Sequence, residues 1–236
     1  MNHRSIGLEA RDRVNRAIGG GFPEGSLVLL EGGTGAGKSA LTQRFVYGLC
    51  TERTAVGLAS TQLSTGEFVD QMHSLSYGVV DHLLDGRLRY FQVPTDGDRP
   101  LLNRFVEPSG LWDAGVVAVD GFGTLCRNDR RFSTLLGSGE EDRAMERVVD
   151  RLDTALAADK IVLLTVDPDT LTERSLRPLR SAADVYLELR GETVGNEIRK
   201  KALVRRFAGM KTPVDDTIGF AVQQGRGIVI ESRTIA

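Results

Sequence analysis

Leu27-Val28-Leu29-Leu30 is a continuous apolar block, preceded by the turn residues Pro23-Glu24-Gly25-Ser26 and followed within two residues by glycines. A short unbroken run bounded this way predicts a strand buried on both faces. The same signature returns at 115–119 (G-V-V-A-V) and 161–166, and in more mixed form at 54–60 and 87–93. Between these blocks the apolar residues change to helical spacing. Leu41, Phe45 and Leu49 predict a helix over 39–49, and apolar positions 145, 148, 149, 152, 155 and 156 predict one over 140–158. Another follows at 171–181. Ser64-Thr65-Gly66-Glu67 has the form of a capping box and predicts the start of a helix carrying Phe68, Val69 and Met72. Residues 9–18 read as a short polar helix ended by Gly19-Gly20-Gly21.

The last fifty residues change character. Stretches 185–189, 198–207, 217–222 and 227–231 read as strands joined by glycine-bearing turns. Strands alternating with helices, then a run of hairpins, predict an α/β fold. Its central sheet is mainly parallel and flanked by helices, with antiparallel strands at the C-terminal end. No repeat or low-complexity linker interrupts the pattern, so residues 1–236 read as a single domain.

Composition narrows the function classes. Of 236 residues, 41% are hydrophobic and 26% charged, enough apolar mass for a full core. The N-terminal M-N-H-R-S-I-G-L-E-A-R-D-R is too charged for a signal peptide, and no apolar stretch approaches the roughly 18 residues of a membrane span. The chain therefore reads as cytoplasmic and soluble. A net charge of −2 argues against a protein that coats nucleic acid, and stable nucleic-acid binding is not expected. Arg127, Arg130 and Arg131, expected in a loop after Asp120, are the one local basic strip, and read first as a solvated charge run, with a partner or nucleic-acid contact as the alternative. Cys50 and Cys126 form no C-x-x-C pair and read as buried thiols of a reducing compartment. His3, His73 and His82 are scattered as surface or packing residues, and Trp112 reads as core.

The candidate chemistry lies immediately after the first apolar block. Gly32-Gly33-Thr34-Gly35-Ala36-Gly37-Lys38-Ser39 fits G-x-x-x-x-G-K-[ST], with a strand before it and a helix after it, the context this motif requires. Its glycines let backbone N–H groups converge on phosphates. Lys38 reaches the outer phosphates, the Ser39 hydroxyl ligates magnesium, and the helix N-terminus adds a positive dipole. A chance match somewhere in such a chain is on the order of one in a hundred at average glycine usage. Val116-Val117-Ala118-Val119-Asp120 places an acid at the tip of a buried strand, where α/β sheets bind ligands. Asp120 is the second candidate magnesium residue, beside Ser39. ATP and Mg2+ are the expected ligands.

These residues carry a resemblance. G-G-G-x-P-x-G-S-x-V-L-x-E-G before the phosphate loop, the acid-tipped strand and the hairpin run resemble the RecA-like P-loop NTPases of the KaiC and RadA group. Within it, S-T-Q-L-S-T-x-E-F-x-x-Q-M-x-S-L-x-Y (60–77) and the terminal G-R-G-I-V-I-E-S-R-T-I-A are similar to the FlaH (ArlH) family of the archaeal flagellum, or archaellum. The resemblance spans nearly the whole chain. It implies an ATP-binding assembly component with weak or absent hydrolysis, a homo-oligomeric ring, and docking onto the motor ATPase FlaI at the motor's cytoplasmic face. It implies contact with the membrane only through partners. KaiC-type ATPases carry a catalytic glutamate at the tip of the strand after the phosphate-loop helix, and registering the following helix puts Gln62 there. Glu67 lies close in sequence, but at a helix cap. A K-x-R element on a C-terminal strand serves the neighbouring subunit's nucleotide in such rings; Arg205, Arg206 and Lys211 are the nearest equivalents here. The same group holds DNA-dependent recombination ATPases and KaiC-like autokinases, the alternative readings.

Overall fold

A computed structural model describes residues 2–96, 99–194 and 197–230. At the N-terminus, β1 (His3–Arg4) pairs antiparallel with β2 (Phe22–Pro23), and α1 (Val14–Ala17) lies between them. The longer helix expected over 9–18 does not form. Leu8 takes φ 65°, the chain turns through residues 8–12, and Asp12 accepts hydrogen bonds from the Val14 amide and the Arg44 guanidinium. Arg44 is fully buried, and the counterion it requires decides the backbone course against local helical preference.

The chain then runs through β3 (Leu27–Gly32), α2 (Lys38–Thr51), β4 (Val56–Ser60), α3 (Thr65–Ser74), α4 (Val80–Leu84), β5 (Leu88–Gln92), α5 (Leu101–Val106) and β6 (Val116–Asp120). It continues through α6 (Phe122–Arg127), α7 (Phe132–Leu135), α8 (Glu141–Ala157), β7 (Ile161–Val166) and α9 (Glu173–Ala182). It ends in β8 (Val185–Val194), β9 (Glu197–Phe207), β10 (Thr217–Gln223) and β11 (Gly227–Ile230). Glu231 and the end of the C-terminal motif lie outside the described residues.

Among the described residues, nine strands form one sheet in the order β11-β10-β9-β8-β3-β7-β6-β4-β5. Strands β8 to β5 in that order pair parallel, and β9, β10 and β11 continue antiparallel, as the element pattern predicts. The short helices α4 to α7 were not legible in the apolar spacing. In particular, Arg127 ends α6 and Arg131 immediately precedes α7, where a loop was expected. The buried Asp129 carboxylate organises this stretch by accepting from the amides of Leu102, Arg131 and Phe132.

Alternation along β3 assigns the two faces. Val28 and Leu30 pack with Phe45 and Leu49 of α2; Leu27 and Leu29 pack with Met145 and Leu152 of α8 and Leu176 and Leu179 of α9. Each of these strand side chains is essentially fully buried, worth about 1.5–3 kcal/mol apiece. The helix after β3 therefore covers one face and the helix after β7 the other. Between the C-terminal ends of these adjacent strands a crevice opens, the position where α/β sheets take ligands.

Candidate nucleotide-binding site

Residues 33–37 leave the tip of β3 and turn into α2 inside this crevice. Gly32 lies against the β8 backbone so closely that an added Cβ would stand 2.5 Å from the Leu189 carbonyl oxygen. Gly37, the residue before α2, takes φ 98°, a conformation that permits the loop to enter the helix and that a side chain would strain. An added Cβ at Gly33 or Gly35 would meet nothing within 4 Å. Those two backbones border open space, as a phosphate cradle requires.

A cleft of about 310 Å³ is lined here by Thr34, Gly35, Gly37, Lys38, Ser39 and Ala40 from the loop and helix. Gln62, Asp120, Gly121, Thr124, Thr165, Asp167 and Thr170, from the ends of β4, β6 and β7 and the segments that follow them, complete it. The Lys38 ammonium donates to the carbonyls of Gly32 at 2.6 Å and Gly33 at 2.9 Å, which curls its stem back over the loop. The Ser39 hydroxyl donates to Asp120 Oδ1 at 3.0 Å, joining residues 81 positions apart. Thr165 at the end of β7 donates to the same oxygen at 2.9 Å and accepts from the Gly121 amide at 2.7 Å. Burial pushes the Asp120 carboxyl above its ordinary value; the hydroxyls of Ser39 and Thr165, then the charge of Lys38, pull the other way. A hydroxyl and a carboxylate side by side are hard oxygen donors, and they fit a magnesium ion that takes its remaining ligands from water and phosphate.

Gln62, two residues beyond the end of β4, is among the residues that line the cleft. Its amide Nε2 donates to Thr61 Oγ1 at 3.1 Å, and its backbone N–H donates to Ser60 Oγ at 3.1 Å. Glu67 does not line the cleft. It is committed to the capping box, accepting from the backbone and hydroxyl of Ser64, and these bonds hold its carboxyl below its ordinary value.

The three C-terminal candidates are not gathered at the phosphate loop of their own chain. Arg205 is paired with Glu188. Arg206 donates through one guanidinium nitrogen to the carbonyls of Arg180, Ser181 and Ala183, around the end of α9. Lys211 lines a more open hollow of about 720 Å³ with Asn2, His3, Glu24 and Met210. This hollow lies toward the opposite end of the parallel strands, since Phe207 registers with Val185 and Val185 with Val28. Among the described residues, Lys200 of β9 approaches the loop, its stem 2.8 Å from the position of an added Gly37 Cβ.

Sequence reading missed Lys200, Thr124, Thr165, Asp167 and Thr170. For Asp167 a signal was present: it directly follows the buried strand β7, much as Asp120 ends the buried strand β6. Cys50 and Cys126 are buried free thiols. Burial pushes Cys50 up to about 12 and Cys126 well above its ordinary value, so neither offers a nucleophile. Trp112 packs at the edge of the core on Phe105. Among the described residues, no helix is long and apolar enough to cross a membrane.

The chain matches no protein-family model. It is 32% identical to the archaeal flagellar ATP-binding protein FlaH of Methanocaldococcus jannaschii, over 96% of this chain and 95% of that one. It is 29% identical to FlaH of Methanococcus voltae over the full length of both, and 26% identical to FlaH of Sulfolobus acidocaldarius over 93% of each. The crystal structure of the flagellar accessory protein FlaH from M. jannaschii superposes with a TM-score of 0.89, covering 98% of this chain. A KaiC-like protein from Pyrococcus horikoshii superposes with a TM-score of 0.73 at 20% identity, a likeness of fold. The architecture is that of the RecA-like P-loop NTPases.

Proposed function

Because the chain belongs to the FlaH family, we propose that it binds ATP with magnesium in the β3–β7 cleft and serves as a regulatory or assembly component of the archaellum motor. One observation carries this reading: Lys38 and Ser39 at the start of α2 and Asp120 at the tip of β6 converge on a single cleft. Lys38 and the backbone amides of the loop bind the phosphates. Ser39 and Asp120 hold the magnesium ion, which when bound neutralises phosphate charge.

The cleft is suited to retaining ATP more than to consuming it. Gln62 occupies the strand tip where the resembling ATPases carry their glutamate. An amide orients a water but takes no proton from it, and general-base help is typically worth about 10²–10⁴-fold. Asp120, the acid at the neighbouring tip, is engaged by Ser39 and Thr165. An ATP-loaded protein of this kind persists in one shape, as befits a single-domain member of a cytoplasmic ring that presents or withholds a docking face to FlaI. The fate of the nucleotide then sets how long the face is presented.

The test is retention of FlaI on the immobilised protein with MgATP, MgADP or no nucleotide, beside calorimetric titration of MgATP. The expected result is saturable ATP binding and retention that differs among the three conditions. Equal retention in all three defeats the switch role, and absence of ATP binding defeats the whole reading.

A further inference from the structure

Asp167 is the acid of the cleft that the ATP-binding reading leaves without a role. It immediately follows β7, and its Oδ2 accepts from Thr34 Oγ1 of the phosphate loop at 3.0 Å. The same oxygen lies 3.6 Å from the Lys38 ammonium, whose other directions are taken by the carbonyls of Gly32 and Gly33. Both side chains of this ion pair are largely withdrawn from solvent, 14% exposed for Lys38 and 16% for Asp167. Lys38 is the cation that a phosphate loop directs at the outer phosphates. Asp167 therefore faces the nitrogen to which those phosphates are drawn, and does so from the lining of the same cleft.

We propose that Asp167 is a specificity-determining residue of the phosphate site, setting the balance between nucleoside triphosphate and diphosphate. This rests on the ATP-binding reading above. A carboxylate near Lys38 competes with phosphate oxygens for that cation and repels each added phosphate charge. The repulsion grows with the charge carried near Lys38, so the triphosphate is penalised more than the diphosphate. The pair sits in a partly desolvated cleft, where a unit charge a few ångströms away changes an affinity by on the order of tenfold. The remainder of Asp167 is occupied locally. Oδ1 accepts from the Asp169 amide at 3.1 Å, and the backbone carbonyl accepts from Thr170. A neutral residue with a side-chain acceptor preserves this turn while removing the charge.

The experiment is calorimetric titration of the full chain, wild type and Asp167→Asn, with MgATP and with MgADP at two ionic strengths. The expected result is an ATP-to-ADP affinity ratio about tenfold higher in the variant at low salt, narrowing toward wild type at high salt. Asp167→Ser, which also retains a cap for the turn, is expected to match it and guards against a fault peculiar to asparagine. An unchanged ratio in variants that bind both nucleotides overturns the proposal, as does equal weakening of both. If wild type binds neither nucleotide, the ATP-binding reading fails and takes this inference with it, a result distinct from an unchanged ratio.

Discussion

Arg180 on α9 grips Glu31 on β3 with two hydrogen bonds, Nε to Oε2 at 2.7 Å and Nη2 to Oε1 at 2.5 Å. Tyr186 of β8 donates to the same carboxylate at 2.9 Å, and burial together with the Glu31 charge pushes the Tyr186 phenol up to about 12. Glu31 is the last residue before the glycine-rich motif, so this network ties the root of the phosphate loop to the helix that follows β7. Removing Arg180 alone strands a carboxylate whose side chain is only 6% exposed. Arg180→Ala is expected to lose about 3 kcal/mol of stability, within the range for breaking a buried pair. Tyr186→Phe is expected to lose about 1 kcal/mol, one hydrogen bond's worth. Urea unfolding of each variant measures both, and equal small losses would show that the network does not hold the loop.

Lys38→Ala is expected to abolish tight ATP binding while leaving the fold intact. Lys38 touches two backbone carbonyls and the Asp167 carboxylate, and belongs to neither apolar core. Its loss should change stability by no more than about 1 kcal/mol. Calorimetry on a variant with wild-type melting behaviour checks this, and unchanged affinity would contradict the phosphate role.

Wild-type turnover is expected to fall well below the roughly 1–10³ s⁻¹ typical of enzymes, and Gln62→Glu is expected to raise it. The substitution conserves volume at a side chain whose described contact is with Thr61. Single-turnover hydrolysis at equal ATP occupancy is the measurement. A mutant no faster than wild type would mean that the attacking water is not at this strand tip.

Arg206 is expected to behave differently from Arg205 and Lys211. Its guanidinium satisfies three carbonyls at the end of α9, so Arg206→Ala should destabilise the chain by about 1–3 kcal/mol in thermal unfolding. If basic residues of one subunit reach a neighbour's nucleotide, the double change Arg205→Ala with Lys211→Ala is the clean probe. Light scattering should then show reduced nucleotide-dependent assembly without loss of stability. Unaltered oligomer size would remove both from a role in trans.

The strands of the nine-stranded sheet, the long helices α2 and α8, the capping box of α3 and the phosphate loop were legible along the chain; the short β1–β2 pair was not. Each is specified by neighbours: an unbroken apolar run, a helical repeat, a serine three residues before a glutamate, glycines at set spacing before a lysine. Asp120 was legible too, because a strand tip is a local feature. The sheet order was not. Insertion of β7 between β3 and β6 brings Thr165 and Asp167 against residues more than 40 and 130 positions away. The register of β9 on β8 sets Arg206 beside the end of α9 and away from the phosphate loop. The helix expected over 9–18 yielded to a buried arginine 32 residues further on. Spacing along a chain records local preference and which face is buried. Which strand tips share a cleft, and which charge finds which counterion, are long-range pairings that only packing of the whole sheet decides.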